Sequence, residues 1–99
     1  MRLSESDRHT LRQAVESVLG EEVVIKLFGS RLDDAGRGGD IDLYIATHQV
    51  IEQPAYTIAM IQTKIMRLIG ERKIDILLDA PNLTEEAIHG IAKAEGVNL

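Results

Sequence analysis

Two strand-like runs joined by a glycine-bearing loop constrain this chain more than any other feature. Val23-Val24-Ile25-Lys26-Leu27-Phe28-Gly29-Ser30 is a β-branched and apolar run that ends in a Gly-Ser turn. After the loop of residues 31–39, Asp40-Ile41-Asp42-Leu43-Tyr44-Ile45 reads as a second strand. Alternate side chains of a strand share a face, so Asp40 and Asp42 point the same way, about 7 Å apart along the chain. Like charges held that close repel each other unless a cation lies between them.

A third acid extends the pattern. Lys73-Ile74-Asp75-Ile76-Leu77-Leu78 is an apolar run broken by one carboxylate, as in a strand with one position facing a site. If it lies beside the Asp40-Asp42 strand, about 4.8 Å away, three carboxylates converge. Such an oxygen-only set suits Mg²⁺ or Mn²⁺, hard cations that favour carboxylates, water and phosphates. Zinc is not expected, because the chain has no cysteine and His9, His48 and His89 lie far apart in sequence. All three histidines are expected at the surface.

The remaining periodicity alternates helix with strand. Ser4-x-x-Asp7 reads as a helix N-cap, followed by Leu11, Ala14, Val15, Val18 and Leu19 at helical spacing and closed by Gly20. Strands are expected over 22–28, 40–47 and 73–78, with a short helix possible after Gly29-Ser30. A helix from Pro54 to about Leu68 presents Ile58, Ile61, Ile65, Leu68 and Ile69 on one stripe and ends at Gly70. Thr84 reads as the N-cap of a last helix with Ala87, Ile88 and Ile91 inward. The expected fold is a small α+β domain over 1–99 of order α-β-(α)-β-α-β-α, one helical layer on a mixed three- to four-stranded sheet.

The Gly29-Ser30 turn, the Asp40-x-Asp42 pair and Asp75 in a later strand together resemble the signature of the polymerase-beta nucleotidyltransferase superfamily. The short chain resembles its minimal, MNT-type members, antitoxin partners of HEPN-domain proteins. The resemblance spans residues 22–79 and implies a nucleotidyltransferase fold. It also implies Asp40, Asp42 and Asp75 as catalytic metal ligands for two Mg²⁺ ions, and Gly29, Ser30 and Arg31 as the nucleotide-binding residues. ATP is the donor so implied, and the acceptor is a tyrosine hydroxyl of a HEPN toxin, which added AMP would silence. The loop departs from the usual family pattern: it is shorter, Gly39 replaces a common Ser, and Asp33 and Asp34 stand where a second Arg is common.

Composition narrows the partners. A net charge of −5, with no basic run longer than Arg72-Lys73, disfavours a protein that tracks a nucleic-acid template. The opening residues 1–7 lack the apolar stretch of a signal peptide, and no run approaches the roughly 20 apolar residues of a membrane span. A cytoplasmic protein without membrane contact is expected. Ninety-nine residues bury a modest share of their surface, so a second subunit, like or unlike, would be unsurprising.

Three functional readings follow. One is an enzyme that adenylylates a protein. Another is a binding module that neutralises its partner by occlusion, favoured by the acidic loop. A third, nucleotidyl transfer to a small molecule, needs an acceptor pocket completed by a second subunit. Met60, nearly opposite the apolar stripe of its helix, and Met66 on its flank suggest a partner or dimer surface.

Overall fold

The computed structural model describes residues 4–28, 41–70, 73–84 and 87–99. Helix α1 (Glu5–Leu19) begins where the Ser4 hydroxyl accepts the Asp7 N–H at 3.0 Å, satisfying one of the donors a helix start leaves open. It ends at Gly20, whose φ of +88° reverses the chain while its N–H returns to the Glu16 carbonyl. Both ends are those expected from Ser4 and Gly20.

The chain continues through β1 (Val23–Leu27), β2 (Ile41–Thr47), α2 (Pro54–Ile69), β3 (Ile74–Asp79), α3 (Ala87–Glu95) and β4 (Val97–Asn98). The four strands form one mixed sheet in the order β3-β2-β1-β4. β1 is antiparallel to both β2 and β4, whereas β2 and β3 are parallel. Parallel neighbours need a crossover, and α2 supplies it. The fold class is therefore the expected one, a small α+β arrangement on a mixed sheet of three to four strands, with β4 as the fourth strand that the sequence reading did not locate. The possible helix after Gly29-Ser30 lies outside the described residues.

Alternation along the strands divides the sheet into two faces. Val23, Ile25 and Leu27 of β1 join Ile41, Leu43 and Ile45 of β2 and Ile74 and Leu78 of β3 in a core completed by Leu11, Val15, Ile61 and Ile65 of the first two helices. Most of these side chains are fully buried, and fully burying an aliphatic side chain contributes about 1.5 to 3 kcal/mol. The opposite face carries Val24, Lys26, Asp42, Tyr44, Asp75 and Asp79, so the acids sit away from the α1–α2 layer.

Three sequence expectations need correction. Leu68 is exposed rather than inward. It lies about 60° round the helix from buried Ile65, in the last turn before Gly70, at the margin of the stripe. Ile91 is exposed as well, because His89 takes the inward face of α3 and positions two apart on a helix lie on nearly opposite sides. His89 is correspondingly buried instead of superficial, while His9 and His48 are exposed as expected. The expected cap from Thr84 depends on residues 85 and 86, outside the described residues, as are the side chains of Ala87 and Ile88.

His89 has a reason to be inside. In the parallel ladder the Ile41 N–H donates to the Lys73 carbonyl at 2.8 Å, which leaves Ile74, Ile76 and Leu78 facing the outer edge of β3. The Gln62 side chain donates to the Ile74 carbonyl at 2.7 Å, and His89 Nε2 lies 3.2 Å from the Leu78 carbonyl. A carbonyl only accepts, so Nε2 carries the hydrogen. These two side chains satisfy edge groups that would otherwise invite another strand. At the other end of the sheet, Arg8 and Arg12 of α1 donate to the Asn98 and Leu99 carbonyls and hold β4 in place. Among the described residues no helix is long and apolar enough to cross a membrane.

Candidate functional site

Asp42 and Asp75 are register partners in the parallel β2–β3 ladder. Side chains of register partners share a face, and neighbouring strands run about 4.8 Å apart, so the two carboxylates stand side by side. Asp42 is half-buried and Asp75 is exposed. Their flanking residues explain the placement: Ile41, Leu43 and Ile74 go into the core, which forces the intervening acids out of the other face.

Two of the three carboxylates expected from the sequence are thus adjacent. Asp40 lies outside the described residues, as do Gly29, Ser30 and Arg31. Among the described residues no three potential ligands gather into one cluster. The donors that do meet are both carboxylates on an accessible face, a set that fits a hard divalent cation and not a thiophilic one. The Phe28 N–H donates to the Asp42 carbonyl at 3.1 Å, so the chain leaves β1 level with the carboxylate pair.

Other residues of this face were legible only in part. Lys26, left between site and solvent by its alternation with Leu27, is half-buried on the acid-bearing face, where it is the register partner of Tyr44. Tyr44 is only 1% exposed, and its hydroxyl donates to Asp79 Oδ2 at 2.6 Å. That short, charge-assisted bond fixes one oxygen of Asp79. The signal lay in the same alternation, because Tyr44 follows Asp42 by two residues and Asp79 follows Asp75 by four.

Beyond Tyr44 the face opens into a cavity of about 920 Å³. Val24, Ala46 and Leu83 provide apolar walls, and Glu21, Glu22 and Asp79 provide carboxylates. Lys26 and His48 also reach it. A second, smaller cavity of about 420 Å³ lies between the end of α1 and the start of α2, where Met60 lines it beside exposed Val50 and Tyr56. Neither a family model nor a curated protein matches this chain.

Proposed function

We propose that this chain is a metal-dependent nucleotidyltransferase that moves AMP from ATP to a hydroxyl, acting as an antitoxin on a tyrosine of a HEPN-domain partner. The observation that supports it is the side-by-side placement of Asp42 and Asp75, with Asp40 two residues before Asp42 in the sequence. Asp40, Asp42 and Asp75 would hold the divalent ions, Mg²⁺ or Mn²⁺. Bound there, such ions neutralise triphosphate charge and lower the pKa of the attacking hydroxyl. The donor, the acceptor and the antitoxin role come from the resemblance to the minimal nucleotidyltransferases.

In this reading the acceptor oxygen attacks the α-phosphorus of ATP, forming a new P–O bond. The bond from that phosphorus to the bridging oxygen breaks, and pyrophosphate departs with its electron pair. The hydroxyl proton leaves to solvent by way of the exposed Asp75 carboxylate. Backbone N–H groups around Gly29-Ser30, with the Ser30 hydroxyl and the Arg31 guanidinium, would hold the terminal phosphates, as glycine turns do for anions.

The test is transfer of label from [α-³²P]ATP to a purified HEPN-domain protein in the presence of Mg²⁺. Labelling by the native chain, reduced to background by Asp42→Asn with circular dichroism unchanged, is the expected result. Undiminished labelling by Asp42→Asn contradicts the two-metal scheme. The occlusion reading keeps one specific support, Asp33 and Asp34 in the loop that would face a triphosphate. It predicts neutralisation of the partner's activity without nucleotide.

A further inference from the structure

We propose that the cavity beyond Tyr44 is an acceptor pocket for a basic peptide segment, a hydroxyl-bearing side chain flanked by lysine or arginine. Its acceptor role rests on the nucleotidyl-transfer reading, whereas its affinity for such a peptide does not.

Position comes first. Tyr44 lies on the same face as Asp42, about 7 Å farther along β2, and Tyr44 and Lys26 border the cavity. The cavity therefore begins one side-chain step from the carboxylate pair. β1 leads out at the opposite side of that pair, where the Phe28 N–H meets the Asp42 carbonyl and Gly29-Ser30 follow in sequence. An in-line displacement sets nucleophile and leaving group on opposite sides of the phosphorus. In the nucleotidyl-transfer reading the terminal phosphates lie where β1 leaves the sheet, and the attacking hydroxyl then approaches from the cavity.

Charge then selects the occupant. Glu21, Glu22 and Asp79 border the cavity against Lys26 and His48, in a chain of net charge −5. A further phosphate group would be repelled there, and a cationic side chain would be attracted. The Tyr44 hydroxyl fixes one oxygen of Asp79 at 2.6 Å, so this acid is held in place before a ligand arrives. Val24, Ala46 and Leu83 offer apolar area for the aliphatic stems of lysine or arginine and for an aromatic ring. At about 920 Å³ the cavity has room for several side chains.

The experiment is a ¹⁵N amide NMR titration of the full chain with three synthetic peptides, each with a central tyrosine flanked by lysines, glutamates or serines. The lysine-flanked peptide is expected to shift the Val24, Lys26, Ala46 and Leu83 amides, with affinity falling several-fold as salt is raised. Glu22 is exposed, so Glu22→Gln keeps the fold, and it should weaken this peptide. Equal binding of the glutamate-flanked peptide, lysine-peptide shifts confined elsewhere, or no shifts at all would overturn the proposal. So would Mg²⁺-ATP alone shifting the cavity amides, which would make the cavity a nucleotide site. Peptide shifts in the cavity without any Mg²⁺-ATP response at Asp42 and Asp75 would uphold the pocket and contradict its acceptor role.

Discussion

Asp42 and Asp75 are register partners of a parallel strand pair, side by side on the face of the sheet away from the α1–α2 core. Hydrophobic partition places them there, since their immediate strand neighbours are core residues. A divalent cation, if bound on this face, would find both carboxylates on one side of the sheet.

Tyr44→Phe tests the second relationship on that face. The substitution keeps the buried ring and removes the hydroxyl that donates to Asp79 at 2.6 Å. Because Asp79 is half-buried and can recruit water, the loss should be about 1 to 2 kcal/mol in urea unfolding. A change below about 0.5 kcal/mol, the scale of an ordinary surface substitution, would mean the bond does not stabilise the fold.

Asn82 acts as a surrogate strand for the segment entering α2. Its side chain accepts the Ile51 N–H at 3.0 Å and donates to the Ile51 carbonyl at 2.8 Å. Asn82→Ala leaves both groups of buried Ile51 without that partner and should cost about 1 to 2 kcal/mol. Hydrogen exchange at the Ile51 amide should quicken more than exchange in α1.

Gly70 closes α2 at φ +96° and ψ 175°, a backbone region almost confined to glycine. A methyl group there meets nothing within 4 Å, so the penalty of Gly70→Ala is conformational alone. Thermal or urea unfolding should show a loss of about 1 to 2 kcal/mol.

The margin of α2 can be tested by moving one charge. Leu68 is 62% exposed and Ile65 is fully buried, three residues earlier. Leu68→Lys should leave stability within about 0.5 kcal/mol, as surface substitutions do. Ile65→Lys should prevent folding or cost several kcal/mol, since it buries an unpaired charge. Equal effects at both positions would place Leu68 in the core.

Much of this arrangement was legible because the signals were local. Ser4 and Gly20 bound α1 through their own side chain and dihedral angle, and Gly70 does the same for α2. The two faces of the sheet followed from alternation, which brought Asp42 and Asp75 to one side before their register was known. What escaped depended on distant partners. His89 is buried because the Leu78 carbonyl at the sheet edge receives it, and its burial turns Ile91 outward. β4 is two residues long and has too little sequence to show a period. Its pairing relies on Arg8 and Arg12, about 90 residues away. The cavity combines residues of β1, β2 and β3 with the Pro81–Leu83 turn, a juxtaposition no local pattern encodes.

A metal–nucleotide site at Asp42 and Asp75 is tested by an amide NMR titration of the full chain with ATP, with and without Mg²⁺, repeated on Asp42→Asn and Asp75→Asn. Mg²⁺-dependent shifts around Asp42 and Asp75, lost in either variant while the remaining spectrum is preserved, are predicted. Absence of any shift at millimolar Mg²⁺-ATP, or shifts unchanged by both substitutions, would contradict a metal–nucleotide site on this face of the sheet.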